Sequence, residues 1–215
     1  MKLLGGPISP FVRKVGICLI EKQLEGACDL QRSPTAIVEP NLALMRDNPL
    51  SKIPTLITDD GMALFDSDVI CEYLDIQFPP PRLIPPLGDA RWRALRWNAL
   101  GSGTLDALVL WRFERNRPTE QQSVATLEAY SIKLQATLAQ IEAEMPALAG
   151  TPFGIGHIAL GCVFGYLDFR FVDSPWRAKH PRAATWYSQL LQRPSVRRTT
   201  PFEGAAPAGH LWINA

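Results

Sequence analysis

The sequence predicts an α/β domain over residues 1–78 followed by an all-helical bundle over residues 90–215, with residues 79–89 as a proline-rich linker. Three observations carry this division. The first 78 residues alternate short apolar runs with helical periodicities in the order β-α-β-α-β-β-α. No strand-like alternation follows residue 89, and five of the 19 prolines fall between Pro79 and Pro86. A chain of 215 residues with 47% hydrophobic and 20% charged residues has an ordinary globular composition and enough length for two small cores.

Lys2–Gly5 is an apolar run closed by glycines and reads as a strand. Ser9-Pro10 then opens a helix, Ser9 as N-cap and Pro10 at the first helical position, with Phe11, Val15, Cys18 and Leu19 at helical spacing. Ala27–Gln31 reads as a second strand and Asn41–Asp47 as a short helix. Thr55–Thr58 and Met62–Phe65 flank Asp59-Asp60-Gly61, the pattern of a β-hairpin with a glycine-containing turn. Asp66-Ser67-Asp68 caps a further helix, in which Val69, Ile70, Tyr73 and Leu74 are expected to face inward.

Beyond the linker, Arg91 to about Arg117 forms one long helical segment stopped by Pro118. Thr119 is placed to cap the next helix, which carries Leu127, Leu134, Leu138, Ile141 and Met145 on one stripe and is expected to stop at Pro146. Gly156–Phe171 is apolar nearly all round, the pattern of a helix at the centre of a bundle. A last amphipathic helix spans about Arg182 to Gln192.

The net charge is +1, but residues 1–80 hold 7 basic and 11 acidic residues against 15 and 10 afterwards, so the two parts carry −4 and +5. With a pI near 7.7, this asymmetry fits a small acidic ligand better than a polyanion, and no nucleic-acid partner is expected. Cys18, Cys28, Cys71 and Cys162 show neither metal-ligand spacing nor a disulfide framework, so no metal and a reducing, cytoplasmic setting are expected. Pro7, Pro10, Arg13 and Lys14 interrupt what a signal peptide would need as its apolar stretch, and no run reaches the roughly 18 residues of a membrane span.

Four places carry residues suited to chemistry or binding. Ser9, where a strand gives way to a helix, puts a hydroxyl at the positive end of a helix dipole; it either binds an anion or only caps the helix. Ile53-Pro54, just before the hairpin, is either a cis turn that leaves the backbone of Ile53 free for an extended ligand or a trans proline starting a strand. Asp66-Ser67 offers an acid, a hydroxyl and helix N–H groups, which match an α-amino acid head but equally make a plain N-cap. Arg91-Trp92-Arg93 with Arg96-Trp97 is either a base-stacking patch or one core face and one solvated face.

In order, Ser9-Pro10-Phe11-Val12-Arg13-Lys14-Val15, Asn48-Pro49-Leu50-Ser51-Lys52-Ile53-Pro54-Thr55-Leu56 and Phe65-Asp66-Ser67-Asp68-Val69-Ile70-Cys71-Glu72-Tyr73-Leu74 resemble the N-terminal domain of cytosolic glutathione S-transferases. The flavour is that of bacterial members and the serine-using tau, phi and zeta classes, and the helical second half is similar to theirs as well. The resemblance implies a thioredoxin-like first domain that binds glutathione as co-substrate. Ser9 would stabilise its thiolate, Ile53 before a cis Pro54 would pair with the cysteinyl backbone, and Lys52 would lie near the glycyl carboxylate. Asp66 and Ser67 would hold the γ-glutamyl head. A hydrophobic electrophile would be walled by Pro7, Ile8, Phe11, Leu108, Trp111 and Arg112, and the resemblance further implies a C2 homodimer and a detoxifying transferase. Glutathione-dependent isomerase, dehalogenase, etherase or peroxidase activity, and a non-catalytic interaction protein on the same fold, are the alternatives. One departure concerns the buried helix: the family's Ser/Thr-x-x-Asp capping box is replaced by Gly154 and His157, and the reciprocal side-chain bond is expected to be missing. With serine rather than cysteine at position 9, transfer through a protein mixed disulfide is disfavoured.

Overall fold

The apolar run Lys2–Gly5 forms β1, an inner strand of a four-stranded sheet in the computed structural model, which describes residues 1–215. The strand order is β2-β1-β3-β4, with β2 Asp29–Arg32, β3 Thr55–Ile57 and β4 Ala63–Leu64. β1 pairs with β2 in parallel and with β3 antiparallel, and β3 and β4 make the expected hairpin. Helices α1 (Pro10–Glu21) and α2 (Ser67–Gln77) pack against each other, with Cys18 Sγ 3.3 Å from Cys71 Sγ; Val12, Val15, Cys18 and Leu19 of the one and Ile70, Cys71 and Leu74 of the other are buried. β2 begins two residues later than expected. The Asn41–Asp47 helix reduces to one 3-10 turn, Leu44–Arg46, because the Asn41 side chain accepts the Ala43 and Leu44 N–H groups and closes the turn at once. Val69 is 46% exposed instead of facing inward; Cys71 and Asp75 are buried on that helix.

Two compact units are formed, Met1–Arg91 with Arg193–Ala215, and Trp92–Gln192. The second stretch of the first unit departs from the expected 90–215 domain. Its short helix α8 (Pro194–Arg197) and the turns after it bury Val196 against α1, Trp212 against β1 and Phe202 beside Arg32 of β2, rather than within the bundle. The proline-rich segment also belongs to the first unit as a docked strand of chain. Buried Asp75 accepts the Leu83 and Ile84 N–H groups at 2.7 and 3.1 Å, and buried Lys22 donates to the Phe78 and Pro81 carbonyls at 3.1 and 3.0 Å.

In the helical unit, α3 (Gly88–Arg115, entering from the first unit) is followed by α4 (Val124–Ala149), α5 (Ile155–Arg170), α6 (Trp176–Lys179) and α7 (Pro181–Leu190). α5 is buried from Ile155 through Leu167, as its all-round apolar pattern requires. Ser123, not Thr119, caps α4: its Oγ accepts the Thr126 N–H at 3.2 Å, and Thr119 lies in a separate 3-10 turn. α4 also runs past Pro146 to Ala149. So close to the helix end the missing N–H costs a single bond, and Gly150 closes the helix by donating to the Pro146 carbonyl. In the arginine-tryptophan patch only Trp97 takes a core position, its Nε1 donating to Glu144 at 2.6 Å; Trp92 is 69% exposed, so the expected core face holds for one of the two tryptophans.

At the start of α5, His157 supplies half of the capping box that Gly154 cannot make. Its Nδ1 accepts the Gly154 N–H at 3.3 Å, which places the ring hydrogen on Nε2, within 3.1 Å of the Leu148 carbonyl. The expected absence of the reciprocal bond is therefore corrected: imidazole replaces the usual carboxylate as acceptor. The missing half is the one that needs an N-cap side chain.

Candidate functional site

Ser9 closes the turn that leaves β1. Its N–H donates to the Gly6 carbonyl at 3.3 Å, and its Oγ accepts the Val12 N–H at 3.3 Å, so it is an N-cap. Capping uses a lone pair and leaves the hydroxyl hydrogen free to donate. No acidic residue occupies the first turn of α1, so the positive end of the helix is not neutralised there. Ser9 and Phe11 are half-buried and Ile8 is exposed, whereas Pro10 is buried behind them.

The start of α2 is tied to α1 by an ion pair. Lys14, fully buried in the second turn of α1, meets the carboxylate of Asp68 in the first turn of α2. Beside Asp68, the Asp66 Oδ1 accepts the Asp68 N–H at 2.9 Å, making the N-cap. Ser67 is only 2% exposed, and no group of the chain bonds its hydroxyl.

The turn between the 3-10 segment and β3 is built on Asn48, which is fully buried. Its Nδ2 donates to the Lys52 carbonyl at 3.0 Å and to the Thr55 hydroxyl at 2.9 Å, and its Oδ1 accepts the Leu50 N–H at 3.0 Å. These bonds hold Lys52 with its side chain exposed and lead into a cis Ile53–Pro54 peptide. The ladder with β1 begins at Thr55, so the N–H and C=O of Ile53 stand outside it. Phe65–Asp66 is a second cis peptide in this unit. The sequence singles out Ser9, Lys52, Ile53, Pro54, Asp66 and Ser67 as candidates; Asn48 and Lys14 stand in the same motifs without a role there, and Asp68 only as part of the cap. For Asn48, the signal was an asparagine before proline at the head of a turn.

In the helical unit, Leu108, Trp111 and Arg112 share α3 but not one environment. Leu108 is buried, and with Trp111 it lines a cavity of about 290 Å³ between α3 and α4, where Tyr130, Lys133, Leu134 and Thr137 form the facing wall. Trp111 also lies tilted against Phe171, ring centroids 5.2 Å apart, with the Arg115 guanidinium over both rings. Arg112 lies near Tyr166, whose phenol is pushed above its ordinary value by burial, an effect that Arg112 and Arg170 partly offset.

Residues 8–77 match the family description of a glutathione S-transferase N-terminal domain, and residues 124–188 match that of a glutathione S-transferase C-terminal domain. A crystal structure of a glutathione transferase family member from Pseudomonas fluorescens Pf-5, with bound glutathione, superposes with a TM-score of 0.91. It is 44% identical, over 94% of this chain and 99% of that one. The uncharacterized GST-like protein YibF of Escherichia coli K12 is 33% identical over 94% of this chain and 98% of its own length. Glutathione S-transferase GstB of the same organism is 30% identical over 70% of this chain and 74% of its own.

Proposed function

The chain belongs to the glutathione S-transferase family, and from that premise we propose that it is a glutathione transferase in which Ser9 holds the glutathione sulfur as a thiolate for attack on a hydrophobic electrophile. The observation that carries this reading is the state of the Ser9 hydroxyl: its oxygen is polarised by the Val12 N–H, and its hydrogen is unspent. The bound glutathione of the Pseudomonas relative supports the choice of co-substrate.

A free thiol near pKa 8.5 must fall by about two units to be mostly ionised at neutral pH, which is about 2.7 kcal/mol. A hydrogen bond to a charged group supplies about 1.5 to 3 kcal/mol and a helix N-terminus about 0.3 to 1 kcal/mol more. Ser9 and the first turn of α1 therefore suffice without a separate base. In the same reading, Ile53 pairs its N–H and C=O with the cysteinyl backbone, Pro54 sets that turn, and Lys52 attracts the glycyl carboxylate. Asp66 takes the γ-glutamyl ammonium, and the unspent Ser67 hydroxyl takes the γ-glutamyl carboxylate. Pro7, Ile8 and Phe11 flank Ser9 as the apolar approach for the electrophile. The four buried cysteines, none of them in a disulfide, accord with a cytoplasmic setting.

We assign a C2 homodimer on family grounds. The −4 and +5 asymmetry gives it no support once Arg193–Ala215 is counted with the first unit: the units then hold 12 basic and 13 acidic residues against 10 and 8, or −1 and +2. Sedimentation at micromolar concentration checks the assembly.

Calorimetric titration with glutathione of the wild type, Ser9→Ala and Ser67→Ala tests the function. Wild type binds, Ser67→Ala binds more weakly, and Ser9→Ala still binds but with the apparent thiol pKa, read from thiolate absorbance, raised by about one to two units. Absence of binding by the wild type overturns the reading. Equal thiolate in wild type and Ser9→Ala removes Ser9 from the mechanism.

A further inference from the structure

We propose that Arg193–Ala215 is a positioning element of the glutathione site, a strap that clamps α1 and so fixes the helix N-terminus at which Ser9 lies. This rests on the glutathione reading above. The observations are of three kinds. At the C-terminal end of α1, the Glu21 carboxylate receives Arg193 Nε and Nη2 at 2.6 Å each and the Ser195 hydroxyl as well. The bidentate fork sets direction as well as distance. Along the middle of α1, the strap touches backbone: a methyl group added at Gly16 would stand 2.9 Å from Leu211 and 3.3 Å from Thr199. One turn beyond Ser9, the buried Arg13 guanidinium gives its single hydrogen bond to the Val196 carbonyl at 3.2 Å, its Nε and Nη1 having no partner. At the strand that leads into Ser9, Trp212 lies against Gly5, 3.3 Å from where a Cβ would stand.

The strap is itself braced, which lets it act as a clamp rather than a loose tail. The Leu211 N–H donates to the Arg198 carbonyl at 2.8 Å, and His210 bridges the Trp212 N–H at 3.0 Å and the Thr200 carbonyl at 3.0 Å. Arg198 reaches Glu25 just after α1 at 2.9 Å. A helix held at its far end, its middle and the strand that precedes it has little freedom to slide along its axis. A shift of a few tenths of an ångström is enough to lengthen a bond from Ser9 to a sulfur. Arg193 and Trp212 are therefore positioning residues, acting through α1 and β1.

The test uses the full chain with Arg193→Met, Arg193→Lys, Trp212→Ala and Trp212→Phe, and two readouts. Amide hydrogen exchange at residues 11–13 reports the first turn of α1 without glutathione; thiolate absorbance against pH reports the sulfur of bound glutathione. Arg193→Met and Trp212→Ala are expected to speed exchange in that turn and to raise the apparent thiol pKa by at least half of the rise caused by Ser9→Ala. Arg193→Lys and Trp212→Phe, which keep one ion-pair bond and the ring, restore both. Unchanged exchange, or faster exchange with an unchanged thiol pKa, overturns the proposal and leaves the strap as ballast for stability. If Trp212→Ala does not fold, the Arg193 pair decides. Failure of the wild type to bind glutathione sinks the transferase reading and the catalytic half of this one, while the exchange data still decide whether the strap holds α1.

Discussion

At residue scale, His157 shows how a departure from a sequence pattern is compensated. Both ring nitrogens are engaged, with the Gly154 N–H and the Leu148 carbonyl, in buried surroundings between the rings of Phe153 and Trp186. His157→Ala strips a donor and an acceptor of partners and opens space beside two aromatics. We expect it to lower the unfolding free energy by about 2 kcal/mol, measured by urea denaturation with an unchanged m-value. Arg193→Met, by contrast, is predicted above to act on the thiol pKa. Ser9 and Asp66 as helix caps and Pro54 as a cis turn were legible because each stands where a turn or cap demands a special residue. Asn48, Lys14, Lys22 and Asp75 were not, since a polar residue read from sequence is assigned to the surface, and only tertiary partners reveal that it is buried and bonded.

At element scale, Glu144 joins α3 to α4, accepting from Arg96 and from Trp97 on one helix and from Gln140 on its own. These donors, Arg96 foremost, hold its carboxyl down to about 2 from an ordinary 4.5. A carboxylate with a lowered folded-state pKa contributes stability in full above its ordinary value and loses it as the pH falls toward about 2. Arg96 is more than half exposed, so solvent screening limits the pair to about 1 kcal/mol. Glu144→Gln is expected to lower stability by that amount at pH 7 and to flatten the loss of stability between pH 5 and 2, followed by thermal unfolding across that range. The starts of α1 and α2 were legible from their caps, but both ends of α4 were not. Thr119 and Ser123 are equally good caps by composition, and the choice falls to Ser123 because the Glu114 carboxylate accepts its N–H at 2.6 Å.

At the scale of the whole molecule, all four cysteines are buried, and burial pushes the Cys28 thiol up to about 11. The native protein is therefore expected to show no fast thiol toward an aromatic disulfide reagent at pH 8, and four after denaturation; a rapid native burst would contradict this packing. The architecture of two domains was legible because helical and strand periodicities segregate along the chain. The return of residues 193–215 to the first unit was not, since pairs such as Glu21 with Arg193 lie far apart in sequence and carry no periodic signal. That return makes the glutathione unit discontinuous, with the helical unit inserted between its two parts. During synthesis at about 5 to 20 residues per second, the hundred-odd residues from Trp92 to Gln192 occupy the ribosome for roughly 5 to 20 seconds before the strap emerges. The unit that is begun first is thus completed last, and through that interval the face of α1 around Gly16 waits uncovered, the segment of the nascent chain on which a chaperone would find purchase.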